Sequence, residues 1–580
     1  MAQIVFLCIL RSCARPDSFY LLSRATKALE LPIMPRTQIV KPIFLLLLLA
    51  LIWFSNIQYR DLFKPDEGRY AEIPREMVAS GDWVTPHLNG FKYFEKPPLQ
   101  YWATATAYTL FGQHNWTARL WSYLTGFGSI VLVWFAGKRL FGPTAGCYGA
   151  LILASSLYYG ILGRVNSLDT GLTFFLTAAL TGFLLAQRTP RKERSHHFWM
   201  MFAWAAAGLA VLSKGLIGLV IPGATCFFYA VANRDWRFWQ RLSLVRGITL
   251  FLLLVAPWFV LVCWKNPEFF NFFFIHEHFD RYLTKVHRRF EPWWFFLPYL
   301  LAGVLPWLVE FCQTIATGWR RTEPKGSFDP SRFTWIWIVA ILIFFSLSHS
   351  KLIPYIVPLF PPLALLMGCQ LSKRSTIFKW DAVISVIFAL AGLIFLFFFG
   401  LERFGRPKAP AELYVSLEPW AITGFLIMLA GGCGAWLLKK RQNGVTAIAT
   451  LGVSWILGVH IILTGVQMLS PAYSTAALAQ KIAPIAAPTD TFYCVGNYDQ
   501  TLPFYLNRTC RLVDDRGELD FGIKQNPELW IKDIPAFVQL WQAESSAFAV
   551  MRIQTYEDLK AEIPMVEIAR DPRRVVVIKP

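Results

Sequence analysis

Acids and bases alternate in PDEGRYAEIPREMVASGDWVTPHLNGFKYFEKPP, residues 65–98, directly after the first strongly apolar run. Asp66, Glu67, Arg69, Glu72, Arg75, Glu76, Glu95 and Lys96 lie in it. Charges of both signs beside a membrane surface suit a polar headgroup: carboxylates can orient or deprotonate an acceptor, and cations can stabilise a phosphate leaving group. Helix capping also accounts for part of the pattern. Pro65 suits a helix start, acids favour the first turn, and Glu72 can pair with Arg75. Asp169, in GRVNSLDTGL, either caps an apolar segment, as Asn166 or Ser167 could, or acts in chemistry as an ionisable group at a membrane boundary.

Further along, residues 265–293 offer His276, His278, Arg281, Lys285, Arg288 and Arg289. One reading is a basic collar facing anionic lipid headgroups. The sharper reading is a phosphate clamp built from Lys96, Lys214 and Arg281. Glu95 with His276 or His278 offers ligands for a divalent metal, although an HxH spacing alone is weak.

The elements that must position these groups are set by composition. The chain has 580 residues, 55% of them hydrophobic, and a mean hydropathy of +0.42. Apolar runs of about 17 to 22 residues recur, the length an α-helix needs to cross a hydrocarbon core. The net charge of +19 sits in short clusters between those runs, which excludes nucleic acid as a partner and fits cytoplasmic loops of a membrane protein. The ten cysteines form no metal-type CxxC pair.

Spans are expected near 42–55, 116–136, 144–162, 168–186, 198–213, 215–232, 246–264, 294–316, 333–348, 352–369, 381–400, 419–438 and 446–467, about thirteen in all. Alternate connections then carry Lys138/Arg139, Arg188/Arg191/Lys192/Arg194, Arg234/Arg237/Arg241, Arg320/Arg321/Lys325, Lys373/Arg374/Lys379 and Lys439/Lys440/Arg441. Every one of these falls on a single side, which the positive-inside rule makes cytoplasmic. Loops 56–115 and 265–293, the turns near 163–169, Lys214 and 348–351, and everything after 468 therefore gather on the opposite face. The N-terminus is expected in the cytoplasm and the C-terminus outside.

Three regions follow: an N-terminal extension, 1–38, which reads either as a misassigned start upstream of Met34 or as an amphipathic extension; a membrane domain, 39–470; and an external α/β domain, 471–580. In the last, TFYCVGN, CRLV, AFAVMRI, MVEIA and RVVVIKP read as strands, with helices at PAFVQLWQAE and YEDLKAE. Cys494 and Cys510 lie there on the oxidising side and could form a disulfide. No glycine-rich phosphate loop is present, so no nucleotide cofactor is expected.

PDEGRYAEIPREM, YFEKPPLQYW, RVNSLDT, FFFIHEHFDRY and SHSKLIPYIVPLFPPLALLMG together resemble the polyprenyl-phosphate-dependent GT-C glycosyltransferases. The branch most similar is the lipid A aminoarabinose transferases, related to protein O-mannosyltransferases. The resemblance runs from about Lys41 to the C-terminus and rests on these several separate motifs. It implies a polytopic α-helical membrane protein of GT-C fold with a small external α/β C-terminal domain, in the bacterial inner membrane with its active site periplasmic. It also implies a sugar donor linked to undecaprenyl phosphate, an acceptor that is lipid A or another envelope molecule, and contact with membrane lipids. Asp66 and Asp169 match the family's catalytic aspartates. Arg69, Tyr70, Tyr93, Lys96, Lys214, Arg281 and Tyr355 match positions around the carrier phosphate, and Glu95 and His276 match a metal site. Transfer of another sugar to protein or glycan is the alternative within the family. A secondary transporter is the alternative outside it, although no internal repeat supports one.

Overall fold

Long apolar segments become helices because a helix satisfies all its backbone hydrogen bonds internally, as a bilayer interior demands. The computed structural model describes residues 36–280, 291–320, 323–324, 327–373 and 378–580. Among these, 8 helices are long and apolar enough to cross a membrane: Asn115–Phe141, Leu168–Arg188, Leu244–Lys265, Pro330–Leu347, Ile353–Lys373, Phe378–Phe399, Ala411–Lys440 and Gly444–Tyr473. The pair Phe296–Gly303 and Leu308–Thr317, bent by 118°, makes a ninth if it is one span. Further helices occupy the other expected positions: Arg36–Phe54, Pro143–Ser155 with Leu157–Leu162, Arg194–Lys214, and Ile217–Asn233. Pro354 and Pro358 lack the N–H that an α-helix needs, and the Pro-rich span duly begins as a 3₁₀ turn, Ile353–Leu359, before Phe360–Lys373 continues as α-helix. The N-terminal extension up to residue 35 lies outside the described residues.

The loop that follows the first apolar helix is structured throughout. Helix Asp66–Ser80 leads to a hairpin of β1 (His87–Leu88) and β2 (Phe91–Lys92), then to helix Leu99–Phe111. The hairpin turn is Asn89-Gly90, with φ of 54° and 79°, the left-handed pair that a two-residue turn requires. Both turn N–H groups donate to the Glu76 carboxylate, at 2.5 Å from Asn89 and 2.8 Å from Gly90, which fixes the hairpin to the helix.

The C-terminal region folds into a six-stranded mixed sheet of order β5-β4-β3-β6-β8-β7. Its strands are β3 (Thr491–Val495), β4 (Arg511–Val513), β5 (Trp530–Ile531), β6 (Ala547–Arg552), β7 (Val566–Arg570) and β8 (Arg574–Ile578). The five expected strands are present, and the two-residue β5 is added. Side chains alternate across the sheet. Phe492 and Cys494 pack with Leu88, Phe91 and Tyr93 of that loop. Tyr493 and Val495 face the opposite way, onto Phe537 and Trp541. With both faces covered, the strands read as continuous apolar runs.

Polar contacts fasten this domain to the loop. The Asn89 side chain exchanges two hydrogen bonds with the Cys510 backbone, both 2.8 Å. Gly68 is needed for close approach, since a Cβ there would stand 2.7 Å from the Gln500 carbonyl group. Cys494 and Cys510 are both buried free thiols, with Cys494 hydrogen-bonded to Cys510, and the possible disulfide is not formed between them. Strand pairing accounts for their proximity: Cys494 is in register with Leu512 of β4, two residues beyond Cys510.

Asp499 lies buried between Lys64 Nζ at 2.7 Å and Arg574 Nη1 at 2.5 Å. Burial alone would raise its pKa, but Arg574 and Lys64 reverse that and hold it at about 2. Unfolded, it would titrate near ~4, so its stabilising contribution of about 2.5 kcal/mol is complete above that value and is lost as the pH falls toward 2. Unfolding followed by tryptophan fluorescence should therefore show wild-type stability falling through this window. Asp499→Asn should be less stable at neutral pH and flatter across the acid range; parallel profiles would contradict the assignment.

Candidate active site

The first turn of helix Asp66–Ser80 divides two adjacent carboxylates. Glu67 points inward, its side chain 3% exposed, whereas that of Asp66 is 49% exposed. Glu67 accepts from Arg60 at 2.7 Å, from Arg119 Nε and Nη2 at 2.9 and 3.0 Å, and from the Phe63 N–H at 3.0 Å. Burial would push the Glu67 pKa up, yet the Arg119 and Arg60 guanidiniums hold it well below the usual carboxylate range. The same carboxylate accepts from the Asn166 N–H at 3.3 Å, and Asn166 in turn accepts from Gln100 Nε2 at 2.9 Å. Helix Asp66–Ser80, helix Asn115–Phe141 and the turn before Asp169 are thereby tied at one point.

Asp66 remains at the surface of this cluster. Arg69 Nη1 donates to it at 3.0 Å, and Arg69 Nη2 reaches Glu518 of the C-terminal domain at 2.5 Å. Tyr70, Tyr93 and Glu95 lie in the electrostatic field of Arg69. Tyr70 and Tyr101 pack with ring centroids 6.3 Å apart. Burial raises the pKa of Tyr93 well above its ordinary value, against the opposing charge of Arg69, so its phenol is a neutral donor. The hydroxyls of Tyr93 and Tyr101 and the Gln100 Oε1 are buried without hydrogen-bond partners.

Lys214 Nζ pairs with Asp169 and stands 4.8 Å from the Tyr355 ring centroid. Asp66 and Lys96 lie close enough to Asp169 for their charges to act on it. Lys96 Nζ donates to its neighbour's carbonyl, Glu95 O, at 2.7 Å and reaches Glu277 at 3.3 Å. His276 packs on Phe272, with ring centroids 5.4 Å apart, and Phe272 stacks on Phe521 of the C-terminal domain at 4.0 Å. Arg281, Lys285, Arg288 and Arg289, with the side chain of His278, lie outside the described residues.

Among the described residues, no group of three or more His, Cys, Asp or Glu side chains could hold a metal ion. Glu95 and His276 belong to no such group there.

Glu67, Arg119, Glu277 and Glu518 were not among the expected site residues. Arg119 carried a signal, being an ionisable group inside an apolar helix. Glu277 sits between the two histidines already singled out. Glu518, in DDRGELD, carries no local sign of its role, because only the docking of the sheet brings it to Arg69.

A family model described as aminoarabinose transferase C-terminal domain matches residues 478–579, and one described as dolichyl-phosphate-mannose-protein mannosyltransferase matches residues 95–261. The chain is 32% identical over 446 residues to an undecaprenyl phosphate-alpha-4-amino-4-deoxy-L-arabinose arabinosyl transferase of Aeromonas salmonicida, covering 74% of this chain and 78% of the relative. The transferase of the same name from Erwinia tasmaniensis is 30% identical over 543 residues, covering 89% of this chain and 94% of the relative. The crystal structure of ArnT from Cupriavidus metallidurans bound to undecaprenyl phosphate matches with a TM-score of 0.87 and 36% identity, over 92% of this chain and 97% of that one.

Removing the Glu67 charge would leave the buried Arg119 guanidinium and the half-buried Arg60 guanidinium without their counter-ion. Glu67→Gln is expected to destabilise the protein by about 3 kcal/mol or more, read as a lowered unfolding temperature in detergent. An unchanged temperature would mean that the Arg60 and Arg119 charges are compensated elsewhere.

Proposed function

Because the chain belongs to the family of undecaprenyl phosphate-alpha-4-amino-4-deoxy-L-arabinose arabinosyl transferases, membrane glycosyltransferases of GT-C fold, we propose that it moves 4-amino-4-deoxy-L-arabinose from undecaprenyl phosphate to lipid A. The observation that carries this reading is the convergence of Asp66 and Asp169 with Arg69, Lys96 and Lys214 at one face of a helical membrane domain. In the proposed topology of about thirteen spans that face is periplasmic, because the basic connections lie on the other side. The domain limits 39–470 and 471–580 belong to the same proposal.

A sugar joined to a lipid phosphate already has an activated anomeric carbon. An acceptor oxygen attacks that carbon, the bond from carbon to the carrier oxygen breaks, and the electron pair leaves on the phosphate, with inversion at the sugar. Arg69, Lys96 and Lys214 stabilise the charge that gathers on the leaving phosphate. The neutral phenols of Tyr70 and Tyr93 offer hydrogen bonds to its oxygens, and Tyr355 packs beside Lys214. An acceptor phosphate on lipid A is itself anionic and needs no strong base. Asp66, the exposed member of the first-turn pair, then orients the acceptor and offsets positive charge on the sugar ring, while Asp169 holds Lys214 in place.

Mass spectrometry of lipid A from cells with and without this gene should show the aminopentose only when the gene is present; unchanged lipid A would refute the proposal. Asp66→Asn is expected to reduce transfer at least about a hundredfold while the protein stays folded in the membrane. Lys96→Ala should raise the KM for the lipid-linked donor, and normal donor use by that variant would remove Lys96 from the phosphate clamp.

A further inference from the structure

We propose that Glu518, supplied by the C-terminal domain, recognises the charged amino group of the donor sugar. The inference rests on the reading above, in which the donor joins a phosphate to an amino sugar. Such a donor is zwitterionic, with one negative charge on the phosphodiester and one positive charge on the ammonium group.

The site is arranged for an exchange of partners. Arg69 is held between Asp66 at 3.0 Å and Glu518 at 2.5 Å, and its Nε is buried without a partner. A guanidinium binds phosphate oxygens in preference to single carboxylate contacts when two parallel hydrogen bonds are available. A carrier phosphate that takes Arg69 therefore strips Glu518 of its cation. Glu67 keeps Arg60 and Arg119, and Lys214 and Lys96, with three donors each, can hold Asp169 and Glu277 while they touch the phosphate; Asp66 also gives up Arg69, but its side chain is 49% exposed to water against 16% for Glu518. Glu518 would be left with one hydrogen bond, from Gln500 Nε2 at 2.8 Å.

A carboxylate in that position needs a new cation. Burial already presses Glu518 toward protonation, Arg69 opposes this, and the charge of Glu95 adds to the pressure. Independent polar atoms mark the same place as ligand space. The Tyr93 and Tyr101 hydroxyls and Gln100 Oε1 are unpartnered on residues only 3%, 0% and 1% exposed, and both phenols lie in the field of Glu518. Buried polar atoms are rarely left without a partner. An ammonium group replaces the lost guanidinium, whereas a sugar with a hydroxyl in its place leaves Glu518 unpaired. Discrimination arises from that penalty.

The test compares two donors with the full-length protein and lipid A: polyprenyl phosphate carrying 4-amino-4-deoxy-L-arabinose, and the same carrier with L-arabinose. The wild type should favour the amino donor in kcat/KM by at least about tenfold. Glu518→Gln should bring the ratio close to one by slowing the amino donor selectively, and Glu518→Asp, which keeps the charge, should retain part of the preference. Equal slowing of both donors would mean that Glu518 only positions Arg69 and would overturn the subsite. So would a wild type without preference, which needs no variant to fold. Failure of the wild type to use either donor would overturn the parent reading as well.

Discussion

Arg119 sits in the first turns of a helix that otherwise belongs in hydrocarbon, and a guanidinium there must be matched. Glu67 matches it with two hydrogen bonds, while the remaining guanidinium hydrogens go to backbone carbonyls of residues 57–61. One buried ion pair thus fixes where the chain leaves the membrane and where the interfacial helix begins. It also sets the direction of Asp66, because successive residues on a helix project about 100° apart. With Glu67 locked inward, Asp66 is turned toward the open side. Through Asn166 the same carboxylate holds the turn that precedes Asp169. The two aspartates owe their convergence to an interaction that neither of them makes.

Around that anchor, charges of opposite sign are placed in pairs. Arg69 with Asp66 and Glu518, Lys96 with Glu277, and Lys214 with Asp169 all bring a cation against a carboxylate at the mouth of the site. Pairing keeps each ion tolerable while partly desolvated. It also means that an anionic ligand competes with carboxylates already in place, so binding a phosphate rearranges charge instead of merely adding to it. Permanent pairs have a different geometry. Glu72 and Arg75 make two hydrogen bonds within one helix, at 2.7 and 2.6 Å, and face away from any exchange.

Much of this was legible in the sequence because the bilayer imposes simple rules on length, apolarity and the side on which Lys and Arg lie. Those rules place the helices and gather Asp66, Asp169, Lys96 and Lys214 on one face. Strands in the last hundred or so residues were legible too, from β-branched runs bounded by turn residues. Rules of composition failed where position depends on distant packing. Glu518 meets Arg69 only because the sheet docks on the external loop, and nothing within DDRGELD announces that. The cysteine pair was approachable from compartment alone, but whether two thiols meet depends on strand register. The histidines at 276 and 278 had a metal-like spacing, and the side chain of His278 lies outside the described residues.

Docking of the C-terminal sheet is therefore part of the proposed site and not an appendage to it. Phe492 and Cys494 share a core with Leu88, Phe91 and Tyr93, so detaching the sheet would expose apolar surface on both partners. Gly68 admits the Gln500 backbone beside the very turn of helix that carries Arg69, and Glu518 then arrives within reach of its guanidinium. Burial of apolar side chains supplies the driving force, whereas the glycine and the Asn89 amide fix the register. A substitution that loosens this contact would act on the chemistry through Arg69, even though it lies outside the membrane domain and touches no reacting atom.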